Sequence, residues 1–446
     1  MAKRNGASLP KASVRETAGV TADVVVPTIS KGVIIRRPRV VGVAERLDLD
    51  RRAVRRMQKL RDRHGDGPVL LRIPVRHQAV ILSPDHVHRV LEESPEPFAT
   101  ASSEKEAALS HFEPKGALIS HGPDRVDRRR FNEQVLRSET PVHPFATRFV
   151  RIAEDEAEGM IDRSEGDGAL TWDHFSEGWF RLVRRVIFGE GAADDHELTE
   201  MVAELRTAAN WAFLHPKKRR LRERFHERLR DHMERAEEGS LAAMMARVAT
   251  TSQTAPAHQV PQWLFAYDPA GMTTFRSLAL LATHPEHAEA ARDEIEASPD
   301  PGSHPLTHLR ATVLESLRLW PTTPMVLRET TRETEWENGV MPAGTGVLIY
   351  APFFHRDDAR LDFADRFAPE LWKEERTAED WPLIPFSGGP GICPGRHLVL
   401  LTTSAMLAAL LRRRRLRLTE PERLEDEQGR LPGTLDNYTL RFRLEG

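Results

Sequence analysis

Cysteine is almost absent from this chain: Cys393 is the only one in 446 residues. That excludes a disulfide framework and a structural zinc site built from several thiolates. Long apolar runs are missing too. None reaches the roughly 18 residues of a membrane span, and the longest, after Leu398, is interrupted by Thr402, Thr403 and Ser404 and reads as a buried helix. The first residues, Met1-Ala-Lys-Arg-Asn-Gly, lack the apolar centre of a secretory signal, so a soluble cytoplasmic protein without a membrane partner is expected. Charge of one sign is also scarce. With 64 Lys and Arg against 67 Asp and Glu, the formal net charge is −3, which argues neither for a nucleic-acid partner nor for acidic disorder. No repeat of fixed period and no long Gly/Ser or Pro-rich linker divides the chain. A chain of this length is either two or three domains or one of the large α-rich folds, and nothing favours a split. We expect residues 1–35 to form a surface arm and residues 36–446 a single domain.

What is present converges on Phe386-Ser-Gly-Gly-Pro-Gly-Ile-Cys393-Pro-Gly-Arg-His397. Gly388, Gly389 and Gly391 permit backbone conformations closed to other residues and let something large and flat approach the main chain. Pro394 suits the first helical position, which puts Cys393 at the N-cap of a helix running to Leu411. There the free N–H groups and the helix dipole favour a thiolate. Three readings of that sulfur stand: an inert buried thiol, a catalytic nucleophile, or the axial ligand of a haem iron, where electron density from sulfur favours O–O cleavage. The surroundings match no cysteine-protease signature.

In chain order, a helical pattern from Leu47 to Leu60 precedes two paired strands, 68–74 and 78–82, and a helix at 84–93. Residues 95–120 read as a long irregular section. Residues 122–136 form a basic helix with Arg125 and Arg129 one turn apart on one face. Residues 145–249 look nearly all helical, with breaks near Gly166, Gly189 and His215-Pro216. The segment 260–283 is apolar nearly all round, so it crosses the core. It holds Asp268, a charge that must be paired, solvated or neutralised, and Pro269, which removes a backbone N–H. A short helix between Pro305 and Trp320 carries Glu315 and Arg318, strand chemistry follows at 344–350, and Leu435 to Phe442 read as a closing hairpin.

Phe386, Gly389, Cys393 and Gly395 resemble the Phe-x-x-Gly-x-basic-x-Cys-x-Gly haem loop of the cytochromes P450, with Gly391 in place of the usual basic residue. Glu315-Ser-Leu-Arg318 resembles the Glu-x-x-Arg pair of the same family. There Leu371 stands where an Arg normally completes the network, so Arg366 or another residue must serve. The resemblance runs from about Leu47 to the end and implies a mainly α fold with small β-sheets and haem b ligated by Cys393. It places Arg125, Arg129 and Arg328 at the haem propionates. It makes Phe98, Phe112, Phe265, Asp268, Met325, Val326 and Leu435 the substrate pocket and the segment Leu205 to Leu221 a mobile lid, where the residues alone fit an ordinary helix-turn-helix with a solvated basic turn equally well. Counting back from Ala282-Thr-His-Pro285 puts Asp268 at the family's acid and Pro269 where its Thr belongs. A rival register puts Thr273 or Thr274 at the hydroxyl. The implied activity is monooxygenation of a small lipophilic, natural-product-like molecule. Electrons would come from a separate ferredoxin and ferredoxin reductase or a similar donor, with Arg128, Arg130 and Arg396 as candidates for its docking surface. The missing Thr leaves radical coupling or peroxide-dependent oxidation as alternatives, and a non-catalytic haem sensor is a further one. Outside haem chemistry, a helical binding protein with an inert Cys remains.

Overall fold

The computed structural model describes residues 8–298, 302–377, 379–424 and 429–445. Helices dominate. Ala146–Asp167, Trp172–Phe188, Val260–Thr283, Thr307–Leu319 and Arg396–Arg413 pack around the larger apolar core. The helix after the cysteine loop, Arg396–Arg413, is buried without a break from Leu398 to Leu410. Its three hydroxyl residues fit there because each donates to a carbonyl one turn back: Thr402 to Leu398 at 3.0 Å, Thr403 to Val399 at 2.7 Å and Ser404 to Leu400 at 2.6 Å.

A five-stranded sheet carries the smaller core, in the order Val69–Leu71, Gln78–Val80, Gly346–Tyr350, Met325–Thr330, Phe98–Ala99. The expected pair near residues 68–82 is present and antiparallel, with Leu70 opposite Ala79. Along Met325–Thr330 burial alternates, and Arg328 falls on the more buried side with Val326 and Thr330.

Two expectations are corrected. The first is the N-terminal arm, of which residues 1–7 lie outside the described residues. Val14–Val20, Thr21–Val25 and Val26–Lys31 are successive helical turns, and Leu9, Ala12, Val20 and Val24 belong to the smaller core. Short apolar runs at helical spacing were enough to bury one stripe. Farther along, Asn210 takes the N–H of Ile34 at 2.9 Å and donates to the carbonyl of Ile35 at 2.8 Å. Arg206 donates to the Ile34 carbonyl at 2.8 Å, and the Arg37 guanidinium lies over Trp211. The second is the closing hairpin. Asn437–Thr439 is a 3-10 turn, and strand Arg441–Glu445 pairs instead with Arg415–Leu418 and Ala169–Thr171.

Glu315 and Arg318 form a polar knot in the interior, both with no exposed side-chain surface. The carboxylate accepts from Arg318 Nη2 at 2.6 Å and Nε at 2.8 Å, from the Ala368 N–H at 2.8 Å and from the Trp372 indole at 2.9 Å. Arg318 spends its other donors on the carbonyls of His355, Ala364 and Arg366. The expected third member, Arg366, therefore contributes its carbonyl; its side chain is exposed and faces Asp362.

His355, fully buried beside this knot, donates through Nδ1 to the Arg318 carbonyl and accepts the Ile384 N–H at Nε2. Burial, with Arg318 as the next cause, pushes it down to about 3, and burial likewise takes His143 and His226 to about 4. A depressed imidazole binds fewer protons folded than unfolded. Its contribution is therefore complete above pH ~6.5 and is lost as pH falls toward the folded value. Unfolding free energy should be flat above pH ~6.5 and fall between about pH 6 and 4, by up to ~1.4 kcal/mol per pH unit for each histidine, with thermal midpoints falling over the same window. A flat profile through that window would contradict the neutral burial of these rings.

Candidate active site

The central helix Val260–Thr283 stays continuous through Pro269. Pro269 has no N–H for the Phe265 carbonyl. Beside it, the Tyr267 carbonyl accepts the indole N–H of Trp179 at 2.7 Å. That approach explains Gly271, because a Cβ there would lie 2.7 Å from the indole nitrogen. Gly271→Ala should overpack this junction and cost about 1–3 kcal/mol, read as a lower urea midpoint with unchanged slope. An unchanged midpoint would show that Trp179 can move away.

Phe265, Ala266, Pro269, Ala270 and Thr273 line one wall of a cavity of about 300 Å³, the lower end of the range for cofactor and ligand pockets. Opposite stand Phe386, Ser387, Gly391, Ile392 and Cys393, with Met325, Val326 and Arg328 at the side. Thr273 donates to the Pro269 carbonyl at 2.8 Å on the cavity side. Thr274 is fully buried and donates to Ala270.

The cysteine loop is held by the Cys393 N–H, which donates to the Phe386 carbonyl at 2.9 Å, and by Ser138, whose hydroxyl donates to the Pro394 carbonyl at 2.6 Å. Gly389 is obligatory: its φ is +55°, and a Cβ would sit 2.3 Å from the Leu91 carbonyl oxygen. The N-cap of the following helix is Gly395, not Cys393, so Pro394 precedes the helix. Burial pushes the thiol up, opposed by the Gly395 N–H and by Arg129 and Arg396. The dipole expected to make a thiolate on its own is thus outweighed by desolvation, and a bound cation is what would stabilise the anion.

Among the described residues four cations line this cavity, Lys105, Arg125, Arg129 and Arg328, and no carboxylate does. Arg328 is nearly fully buried and donates only to neutral oxygens of Ser94, Leu327 and Ser387. Burial, then Arg125, pushes it down to about 10. Arg125 reaches only the Thr100 hydroxyl, at 3.3 Å, whereas Arg129 is already paired with Glu133. Lys105 donates to the carbonyls of Thr100 and Leu327, and burial followed by Arg328 drives it well below its ordinary value. Sequence reasoning missed Lys105. It sits on helix Ser103–Leu109, inside the section read as irregular, and no motif marks it.

Other expected site residues lie elsewhere. Asp268 does not line the cavity; its carboxylate takes Arg206 Nη2 at 2.6 Å, tying the central helix to helix His196–Ala209. Arg206, buried and stacked over Phe265, would otherwise be an unpaired charge. Phe98 is locked in the sheet against Trp336, and Phe112 packs behind Phe265. Leu435 lines a different, smaller cavity. Of the suggested docking arginines, Arg128 is buried on Asp124, Ser120 and Gln253 and is unavailable. Among the described residues no helix is long and apolar enough to cross a membrane.

With this geometry in hand, residues 250–437 match the family described as Cytochrome P450. Cyclooctat-9-en-7-ol 5-monooxygenase of Streptomyces melanosporofaciens is 37% identical over 159 residues, 32% of this chain and 34% of that protein. The backbone agrees over far more: a crystal structure of a cytochrome P450 (CYP102L1) superposes with a TM-score of 0.70 at 18% identity, covering 88% of this chain and 94% of the other. Residues 250–437 match the cytochrome P450 family, and the backbone has the cytochrome P450 fold. Cytochrome P450 71D179 of Thymus vulgaris is 33% identical over 154 residues, 32% of this chain and 31% of that one. The retinoic acid-bound cyanobacterial CYP120A1 gives a TM-score of 0.68 at 18% identity, covering 87% of this chain and 93% of that one. Sequence matches thus span about a third of the length of these curated P450 relatives.

The P450 family implies haem, and the residues present fit it. The chain's single thiol faces the cavity from a glycine-rich loop. The space a side chain at Gly391 would fill is taken by Arg328, whose Nη2 would lie 2.8 Å from that Cβ. Buried cations without acidic partners suit the carboxylates at a haem edge.

Proposed function

We propose that this chain is a haem-thiolate monooxygenase that oxidises a small lipophilic molecule, with haem b held by Cys393 and electrons delivered by a separate protein such as a ferredoxin. The observation that carries the reading is the placement of the only thiol in the wall of a cavity lined by four cations, of which only Arg129 has an ion-pair partner among the described residues. Cys393 would hold haem there, and the chemistry supplied would be O2 activation, with electron density from the thiolate sulfur favouring O–O cleavage.

The protein's own residues have distinct tasks in this reading. Arg125 and Arg328 hold the cofactor's carboxylates; Arg129, shared with Glu133, does so more weakly. Phe386 and Val399 cover the loop side, and Phe265, Ala266, Met325 and Val326 exclude water and shape an apolar substrate space. The relative named for cyclooctat-9-en-7-ol supports a compact, mostly hydrocarbon substrate. Pro269 cannot hold a proton, so Thr273 Oγ1, the only hydroxyl of the central helix on the cavity wall, is assigned that task. Asp268 acts through Arg206 as a positioning residue.

The test is spectroscopic. The reduced protein with carbon monoxide should give a thiolate-type Soret band, and Cys393→Ala should abolish it. Survival of the band in that variant would remove the central assignment. Thr273→Ala should keep the band but lower product formed per electron about tenfold, or ~1.4 kcal/mol of barrier. Unchanged coupling would exclude Thr273 from proton handling.

A further inference from the structure

A second cavity, of about 40 Å³, lies between the N-terminal helical segment, the central helix beyond Met272, and the loop around Asn437. It suits a group of a few heavy atoms, since one water needs roughly 10–15 Å³. Three cations line it, and only one is answered: Lys31 Nζ reaches both oxygens of Asp50, at 2.6 and 2.7 Å. Arg36 donates to the carbonyls of Gly32 and Thr322, and Arg276 to those of Trp320 and Leu435. Neither guanidinium has an ion-pair partner among the described residues.

The acids nearby are already committed. Asp268 is held by Arg206, and Asp436 accepts the Tyr438 N–H and the Thr439 hydroxyl. Asn437, fully buried on the same cavity, has neither amide atom partnered, and Arg276 Nε is also free. Two guanidinium forks and an amide N–H2 thus converge on one small space that holds an excess of positive charge. Burial of such charge is unfavourable unless an anion completes it.

We infer that this cavity binds a carboxylate, seated between Arg36 and Arg276 and held by the Asn437 amide nitrogen. Planar guanidinium forks match the two oxygens of a carboxylate better than a spherical ion. The site is built from residues outside the Cys393 cavity and stands independently of the haem assignment. Its carboxylate comes either from a free small acid or from the acidic end of a substrate. The second source has a route, because Trp320, Pro321 and Pro324 line this cavity while Thr322, Thr323 and Met325 of the same loop line the larger one.

The purified holoprotein is titrated calorimetrically with sodium acetate at constant ionic strength, with sodium chloride as the exchanged salt, and melted in both salts. Wild type should show one saturable site and a higher midpoint in acetate. Arg276→Gln, which keeps donors for the two carbonyls, should bind acetate at least tenfold more weakly and melt no lower in chloride. Asn437→Asp supplies the missing carboxylate in place, so it should melt higher than wild type in chloride and stop responding to acetate. That variant decides the matter if Arg276→Gln fails to fold. Equal effects of chloride and acetate on wild type would overturn the carboxylate assignment. An Asn437→Asp protein that melts lower in chloride and still responds to acetate would overturn the site itself. Dodecanoate separates the sources: a haem absorbance shift that saturating acetate suppresses points to a substrate's acid, and a shift indifferent to acetate points to a free anion.

Discussion

Glu315→Ala is expected to yield little folded protein, and any that folds should be less stable by about 3–5 kcal/mol. That is a large part of the roughly 5–15 kcal/mol of a typical domain. The substitution strands more than one group. Arg318 would keep its charge with no exposed side-chain surface, and the Ala368 N–H and the Trp372 indole would lose their acceptors. Glu315→Gln keeps the volume and one acceptor oxygen but turns an NH2 toward Arg318, so it should fall between wild type and Ala. Trp372→Phe removes a single hydrogen bond and should cost only ~1 kcal/mol or somewhat more. Urea denaturation orders the series. A Glu315→Ala midpoint equal to that of Trp372→Phe would mean that the knot is not the unit its geometry describes.

Arg328→Met should produce the second large effect, a loss of haem with little loss of fold. The arginine is buried without an acidic partner, so the unliganded chain carries an unfavourable charge that methionine removes at similar length. Each charge-assisted bond to a carboxylate contributes roughly 1.5–3 kcal/mol, which is about 10- to 150-fold in haem affinity. Transfer of haem to apomyoglobin, followed by absorbance, should be faster by at least tenfold in Arg328→Met. Arg129→Ala should change it less, because Glu133 already shares that guanidinium. Equal transfer rates in Arg328→Met and wild type would take Arg328 out of the cofactor site.

The cysteine loop and the Glu315–Arg318 pair could be read from the chain because each lies within a dozen consecutive residues, and short spacing fixes their relative placement. The cross-core helix and the first strand pair were legible for the same reason, since hydrophobic period is a local property. Asp268 was misread because its partner, Arg206, is 62 residues away, and no local pattern announces an ion pair formed by packing two helices. Lys105 hid in a stretch whose prolines and serines masked a seven-residue helix. Phe98, Phe112 and Leu435 were assigned by position in the family order, and the side each presents depends on packing that order does not encode. Residues 8–31 failed as an arm because their burial depends on a groove that only the rest of the chain supplies.

The clasp that Asn210, Arg206 and Trp211 make on Ile34 to Arg37 has a kinetic meaning. Helix His196–Ala209 and the turn after it cannot swing outward alone; they either break these contacts together or drag the N-terminal strand of chain with them. The turn before this segment is at Gly32, whose φ is +90° and where a Cβ would lie only 2.0 Å from the Ile35 carbonyl oxygen. Arg206 adds the Asp268 tie to the same event. Opening of this corner is therefore tied to the unzipping of a segment far away in sequence, and amide exchange at Ile34 and Ile35, whose N–H groups both donate to Asn210, would count the openings.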